Sequence, residues 1–460
     1  MNGYRSIARL VWPLALGMLN NALLQFVDRM FLAKESMASL EAALPASMLA
    51  WLIIGFFQSI VAYSGTFVAQ YHGAGNSRGA ILSYRAGSVI AVFSGIIAAA
   101  LIPAGLAIVP LISDSPEVVS RAKIYFAILS LGAIAVCGHM AASSYFTARS
   151  QTRLVFWVNV GGNLLNVALD ALLIFGLCGL PRLGIAGAGI ATLLASFAQW
   201  AVLALLIAKE RPAISETAAD EAPTAQNAAA TANSGNEKIT LASLAGRILK
   251  FGVPSGAYSI LNVLSFTIFV FVTGKVGDVA FAVSNACFSV NWLLIAPMEG
   301  FAIGASTLVA QAQGREDAKG ARIALRRTLV LALSTVTLLS LGAVVFHHPI
   351  LALFAPSGPE AAEFHSLGFK LIVLMAAWQI FDAADVVISG ALKGAGDTKF
   401  VMWWMVVAAF VFWLPLVWAV KLCHNTMGAL WGTMVAYVVL ISIGSAIRWH
   451  RGKWSSIRLV

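Results

Sequence analysis

The feature that most constrains this chain is the recurrence of apolar stretches long enough to cross a bilayer, from Leu10 almost to the C-terminus. About 20 apolar residues span the hydrocarbon core as a helix, and backbone immersed in lipid must satisfy its own hydrogen bonds, so each stretch is predicted to be helical. Spans are expected near 10–32, 42–69, 86–112, 122–147, 154–178, 184–208, 249–273, 279–310, 328–354, 366–392, 400–421 and 427–447. Composition closes off the soluble alternative: 60% of residues are hydrophobic and only 11% are charged, against roughly 25% charged in soluble domains. There is too little polar surface to cover a water-soluble fold of this size. The expected class is an all-α polytopic membrane protein with twelve transmembrane helices. Asn20, Asn21, Gln25 and Asp28 interrupt the first span, which also exceeds the length of a signal-peptide apolar region, so no cleavage is expected there.

The formal charge of +10 would suggest nucleic acid in a soluble chain, but its distribution points elsewhere. With the N-terminus placed in the cytoplasm, both tails and alternate loops hold 22 of the 30 Lys and Arg residues, Arg149, Arg153, Arg247, Arg322 and Arg448 among them. This is the positive-inside asymmetry, and it predicts cytoplasmic termini and no nucleic-acid partner. The four cysteines, Cys137, Cys178, Cys287 and Cys423, show no metal-site spacing and read as small packing residues. There is no HExxH, GxxxxGK[ST] or GxSxG motif, so neither a metalloenzyme, a nucleotidase nor a hydrolase is indicated, and no cofactor is expected.

Residues 209–245 break the apolar pattern with Glu, Asp, Ala, Thr, Asn, Ser and Pro, and read as a flexible cytoplasmic linker between segments 1–208 and 246–460. The linker also centres a duplication. An offset of 241 residues, held without gaps, places Pro13 on Pro254, Asn21 on Asn262, Lys34 on Lys275 and Trp51 on Trp292. The same offset carries Thr66, Val68, Ala69, Gln70, Gly73 and Gly79 onto Thr307, Val309, Ala310, Gln311, Gly314 and Gly320. Six is even, so both six-helix segments enter the membrane from the same side as parallel repeats, with a cleft expected between two lobes near the midplane. Such a plan implies transport by alternating access.

A carboxylate inside a span costs about 2.5–3.5 kcal/mol on insertion scales and is a functional candidate by default. Asp28 lies late in the first span, and Asp170 lies deep in the fifth with Asn166 one turn earlier on the same face. Their oxygens suit Na⁺, or a carboxylate that takes a proton. In the second segment the candidates are Glu299, Asp382 and Asp385, with Gln379 preceding them; the two aspartates share a face, where like charges favour retention of a proton. His139 reads as a hydrogen-bonded packing residue. Trp51, Phe56, Trp292, Met298 and Trp378 are candidates for lining a cleft that takes a bulky organic cation, although interfacial belts use the same residue types.

Several motifs in order then make a specific resemblance. They are Pro13 with Phe26-Val27-Asp28, Val68-Ala69-Gln70 with Gly73-Ala74-Gly75, Asn166-Val167-Ala168-Leu169-Asp170, Gly184-Ile185-Ala186-Gly187-Ala188-Gly189, Gln379-Ile380-Phe381-Asp382, and Leu392-Lys393-Gly394-Ala395-Gly396-Asp397-Thr398. With them the chain resembles the multidrug and toxic compound extrusion (MATE) family over nearly its whole length outside the linker. The resemblance implies an antiporter that exports organic, often cationic, compounds in exchange for Na⁺ or H⁺. It also implies a cation site at Asp28, Asn166, Asp170 and Thr192. Of the family's second-lobe site, Asp382 is matched, but Asn262 stands where a glutamate is expected. The alternatives are a lipid-linked oligosaccharide flippase of the same superfamily, whose cleft would be basic rather than acidic, and a membrane-embedded enzyme, for which no nucleophile or metal cluster is present. A monomer in the bacterial cytoplasmic membrane, in contact with lipid and a small organic substrate, is the expected setting.

Overall fold

The computed structural model describes residues 3–111, 113–220, 240–356 and 360–460, with the backbone alone over 211–220. Among these residues the regular structure is helical throughout. The first half contains α1 (Tyr4–Glu35), α2 (Met37–Ala62), α3 (Ser64–Gly73), α4 (Ser77–Ala100), α5 (Ile102–Ile108), α6 (Pro116–Leu131), α7 (Ala133–Ala148), α8 (Thr152–Phe175) and α9 (Ile185–Asp220). The second contains α10 (Leu241–Thr273), α11 (Asp278–Gly314), α12 (Ala318–Val345), α13 (His347–Ala352), α14 (Ala361–Gly394), α15 (Thr398–Val406), α16 (Leu414–Cys423) and α17 (Met427–His450). They make 12 stretches long and apolar enough to span a bilayer, in three of which a span is built from two helices: Met37–Gly73, Pro116–Ala148 and Thr398–Cys423. Of the segment expected to be a linker, residues 221–239 lie outside those described, while α9 continues to Asp220 and α10 begins at Leu241.

Proline marks the irregularities. Pro13 and Pro254 lie inside α1 and α10, where each removes one ladder donor. The stretch Val407–Trp413 between α15 and α16 is π-helical and runs directly into Pro415, whose missing N–H leaves the preceding turn to find a longer bonding pattern.

The duplication is visible in local geometry at the ends of α3 and α11. Gly75 and Glu316, 241 residues apart, both take left-handed backbone, φ +74° and +57°. The residue after each then caps the next helix: Asn76 Oδ1 accepts from the Gly79 N–H at 2.7 Å, and Asp317 Oδ1 accepts from the Gly320 N–H at 2.7 Å.

The helices gather into two compact units that do not follow chain order strictly. One holds Asn20–Gly256, Ala310–Glu316 and Leu459–Val460; the other holds Met1–Leu19, Ala257–Val309 and Asp317–Arg458. The first, called the N-half unit below, packs small residues such as Ala42, Ala46, Ala141 and Ala142 against Phe67, Phe126, Tyr145 and Phe146. The second, the C-half unit, is built on aromatics. Trp431 lies 4.9 Å from Trp378 and donates its indole N–H to Ser284 Oγ at 3.0 Å, and Trp413 donates to Thr433 Oγ1 at 3.2 Å. Both indoles therefore satisfy their one polar atom while burying the ring. Outward-facing Leu205, Phe271 and Leu338 are more than half exposed, as a lipid-facing surface requires.

Candidate functional site

The site forms in the N-half unit where α1, α6, α8 and α9 meet. Helix α8 has no proline and ends at Gly176, whose left-handed φ of +71° turns the chain and returns its N–H to the Leu172 carbonyl. Helix α9 then crosses back at close range. A Cβ on Gly187 would lie 2.7 Å from the Leu173 carbonyl carbon, so only glycine lets the two backbones approach this far. Thr192, a turn and a half further along α9, is brought to the polar face of α8 by that crossing.

Asn166 and Asp170 on α8 are 1% and 0% exposed. The Asp28 and Asp170 carboxyls are close enough to interact electrostatically. Asn166 sits between them. With its amide nitrogen turned toward the acids, Nδ2 is 3.3 Å from Asp28 Oδ1 and 3.2 Å from Asp170 Oδ2, and Oδ1 accepts the Thr192 backbone N–H at 3.0 Å. The opposite orientation gives a single 3.4 Å contact from Nδ2 to Thr192 Oγ1, so the hydrogen-bond network selects the first. Asp170 Oδ1 is buried with no hydrogen-bond partner among the described residues. Tyr125 on α6 is buried beside the pair and interacts electrostatically with both carboxylates. The arrangement gathers hard oxygens and excess negative charge in a place with little water, which a monovalent cation or a proton would compensate.

Seven residues beyond Asp28, at the end of α1, an ion network not singled out in the sequence ties several elements of the unit together. Arg121 on α6 donates to Glu35 at 3.0 Å, to Ser36 at 2.9 Å, to Ser39 at 2.6 Å and to Glu117 at 2.8 Å, and Arg182 reaches Glu35 at 3.6 Å. Glu35, Arg121 and Arg182 line an open pocket of about 350 Å³ with the start of α9. Since the Glu35 carboxylate already satisfies both arginines, the network reads as an anchor for the end of α1.

In the C-half unit, Asp385 is 3% exposed and accepts from Ser445 Oγ at 2.6 Å and Ser389 Oγ at 3.3 Å. Gln379 donates to Asn291 Oδ1 at 2.5 Å. Asp382 is half-buried and repelled by both Asp385 and Glu299. The Lys393 ammonium, 3.8 Å from the centre of the Tyr258 ring, offsets part of the charge on Glu299 and Asp385. Asn262 and Glu299 are exposed on their helices. The residues expected to line a cleft divide. Trp51 and Trp292 are 47% and 63% exposed and Phe56 is half-buried, but Met298 and Trp378 are 0% and 2% exposed, packed inside the C-half unit. Trp378 belongs to the aromatic core of the C-half unit beside Trp431, and Met298 is fully buried.

Twelve apolar helices in two units, with buried carboxylates inside them, define an integral membrane protein that keeps polar sites within its spans. The sequence profile of the MatE family matches residues 13–172 and 254–419, and the chain belongs to that family, the MATE transporters. Relatives with curated descriptions include the probable multidrug resistance protein NorM of Thermotoga maritima, 26% identical over 84% of this chain and 79% of that protein. Another is the multidrug resistance protein NorM of Burkholderia vietnamiensis, 26% identical over 96% and 93%. Among solved structures, an outward-facing multidrug resistance MATE transporter of the MOP superfamily aligns at a TM-score of 0.83 and 17% identity, over 99% of this chain and 97% of that one.

Proposed function

We propose that the chain is a cation-coupled antiporter that expels organic, cationic or amphiphilic compounds in exchange for Na⁺ or H⁺ by alternating access. The observation that carries this reading is the Asp28–Asp170 pair, bridged by Asn166, with Asp28 half-buried and Asp170 fully buried with one carboxylate oxygen unpartnered. Two ionised carboxylates cannot persist together there without a compensating cation, and binding one favours one arrangement of the unit over the other. Asp28, Asn166, Asp170 and Thr192 are assigned as the coupling-cation site, with Tyr125 alongside. The multidrug names of the relatives support export of small organic compounds. The basic loops support cytoplasmic termini in a bacterial inner membrane. With Asn262 in place of an acid, the C-half cluster of Gln379, Asp382, Asp385 and Glu299 is secondary in this reading.

The test is export in sealed proteoliposomes loaded with a fluorescent organic cation such as ethidium, under an imposed Na⁺ or H⁺ gradient. Efflux accelerated by one of the two gradients is expected. Efflux indifferent to both, with protein present and correctly inserted, would overturn the coupling.

A further inference from the structure

Polar side chains on α8 do not stop at the cation pair. Asn159, Asn163, Asn166 and Asp170 follow one another at intervals of four, three and four residues, which puts all four on a single face. They cover about 16 Å of helix at 1.5 Å per residue. Each amide finds a partner from another helix of the same unit. Asn163 Nδ2 donates to Asn21 Oδ1 on α1 at 3.0 Å, and Gln199 Nε2 on α9 spans the Asn163 Oδ1 and the Asn159 carbonyl at 3.4 Å each. The row ends at His139 on α7, whose Nε2 is 3.0 Å from Asn159 Oδ1. Gly162 makes the room for this, since a Cβ there would occupy the position of the Gln199 side chain. Beside Asn21, the amide nitrogen of Asn20 is buried without a partner among the described residues.

An isolated interhelical amide contact would be ordinary packing in a membrane protein, where each such bond contributes little. A row that continues for three turns in a segment otherwise made of Leu, Val, Gly and Ala is different, because every member must be kept out of hydrocarbon. We propose that this amide row is the internal path along which the coupling cation, with attendant water, passes between the Asp28–Asp170 pair and the level of His139. The proposal rests on the assignment of that pair as the coupling-cation site. Amide oxygens offer a monovalent cation successive ligands without trapping charge, and their N–H groups and the imidazole hold water between them. Under the positive-inside orientation, α8 starts at the cytoplasmic face beside Arg149 and Arg153, so the path descends from the pair toward the inner half of the membrane. If the ion is a proton, His139 accepts it on one ring nitrogen and releases one from the other, returning neutral.

The experiment compares Asn163→Leu and Gln199→Leu with Asn163→Ser in the full chain. Two quantities are read: cation-induced thermal stabilisation by Na⁺ or by acid, which reports the pair, and gradient-driven ethidium efflux. The leucine variants are expected to keep the stabilisation within about twofold in cation concentration while efflux falls tenfold or more, and Asn163→Ser, which leaves room for water, is expected to recover most of the rate. His139→Gln distinguishes the ions. It retains near wild-type efflux if Na⁺ travels the path and loses it if a proton does. Leucine variants that transport at the wild-type rate would overturn the path. Asp170→Asn separates this from failure of the site assignment: if that variant stays gradient-coupled, the site is wrong, and if it uncouples while the leucine variants do not slow, only the path is wrong.

Discussion

The tightest backbone contact in the N-half unit lies where the two copies of the duplicated Val-Ala-Gln-x-x-Gly motif cross. A Cβ on Gly73 would sit 2.9 Å from the Gln311 carbonyl carbon and 3.0 Å from its Cα, with the carbonyl oxygen nearer still. Reciprocally, a Cβ on Gly314 would meet the Gln70 backbone, 2.7 Å from its carbonyl carbon. Because the obstacle on each side is backbone, no rotamer change relieves it, and Gly73→Ala must push α3 and the end of α11 apart by about half an ångström or more. Overpacking of this kind costs about 1–3 kcal/mol, and a backbone obstacle puts the substitution near about 3 kcal/mol. At about 2–4 °C per kcal/mol for a unit of this size, the melting temperature should drop by about 6–12 °C. Gly161→Ala is the matched control: it lies in α8 with nothing within 4 Å of its added Cβ, and replacing a helical glycine there should stabilise by about 0.5–1 kcal/mol. The assay is thermal unfolding of the purified protein in one detergent, followed by tryptophan fluorescence. A Gly73→Ala protein that melts with the wild type would refute the close crossing.

Arg448 pairs with the 5%-exposed Asp397 through bonds of 2.6 and 3.2 Å. Arg448→Met should cost about 3 kcal/mol by stranding that carboxylate, and adding Asp397→Asn should restore most of it; a double-mutant cycle in thermal stability with no coupling would contradict this. Trp378→Ala should destabilise by about 3–5 kcal/mol as a core truncation, whereas Trp292→Ala, 63% exposed, should leave stability nearly unchanged; equal melting temperatures for the two would argue against their placement. A protease site inserted within 221–239 should be cut only from the cytoplasmic side of membrane vesicles, and cleavage only from outside would reject the orientation.

The helices were readable from composition because lipid leaves the backbone no other solution, and the repeat was readable because a 241-residue offset needs no structure to see. Its local consequence was not: that Gly75 and Glu316 share a left-handed turn, and that Asn76 and Asp317 cap the next helix alike, depends on backbone angles. On α8 the spacing of Asn159, Asn163, Asn166 and Asp170 is plain in the sequence, but their partners Asn21, His139 and Gln199 come from three other helices that spacing cannot place. Thr192 was named through family resemblance alone, and what physically delivers it is the Gly187 crossing. Nothing local in the sequence marks Glu35, Arg121 and Arg182 as one network. Met298 and Trp378, read from the sequence as cleft candidates, are buried, and a span that is apolar all round has no polar face to tell inward from outward.

The central claim is that Asp170 and Asp28 hold the coupling cation. The most direct measurement is gradient-driven export of a fluorescent cation by Asp170→Asn and wild-type protein, reconstituted at matched density and orientation. The amide preserves the shape of the side chain and removes its charge, so the account predicts a folded, membrane-inserted protein whose efflux no longer responds to Na⁺ or H⁺. Wild-type rates under the same gradient would contradict it and shift the role to Asp382 and Asp385.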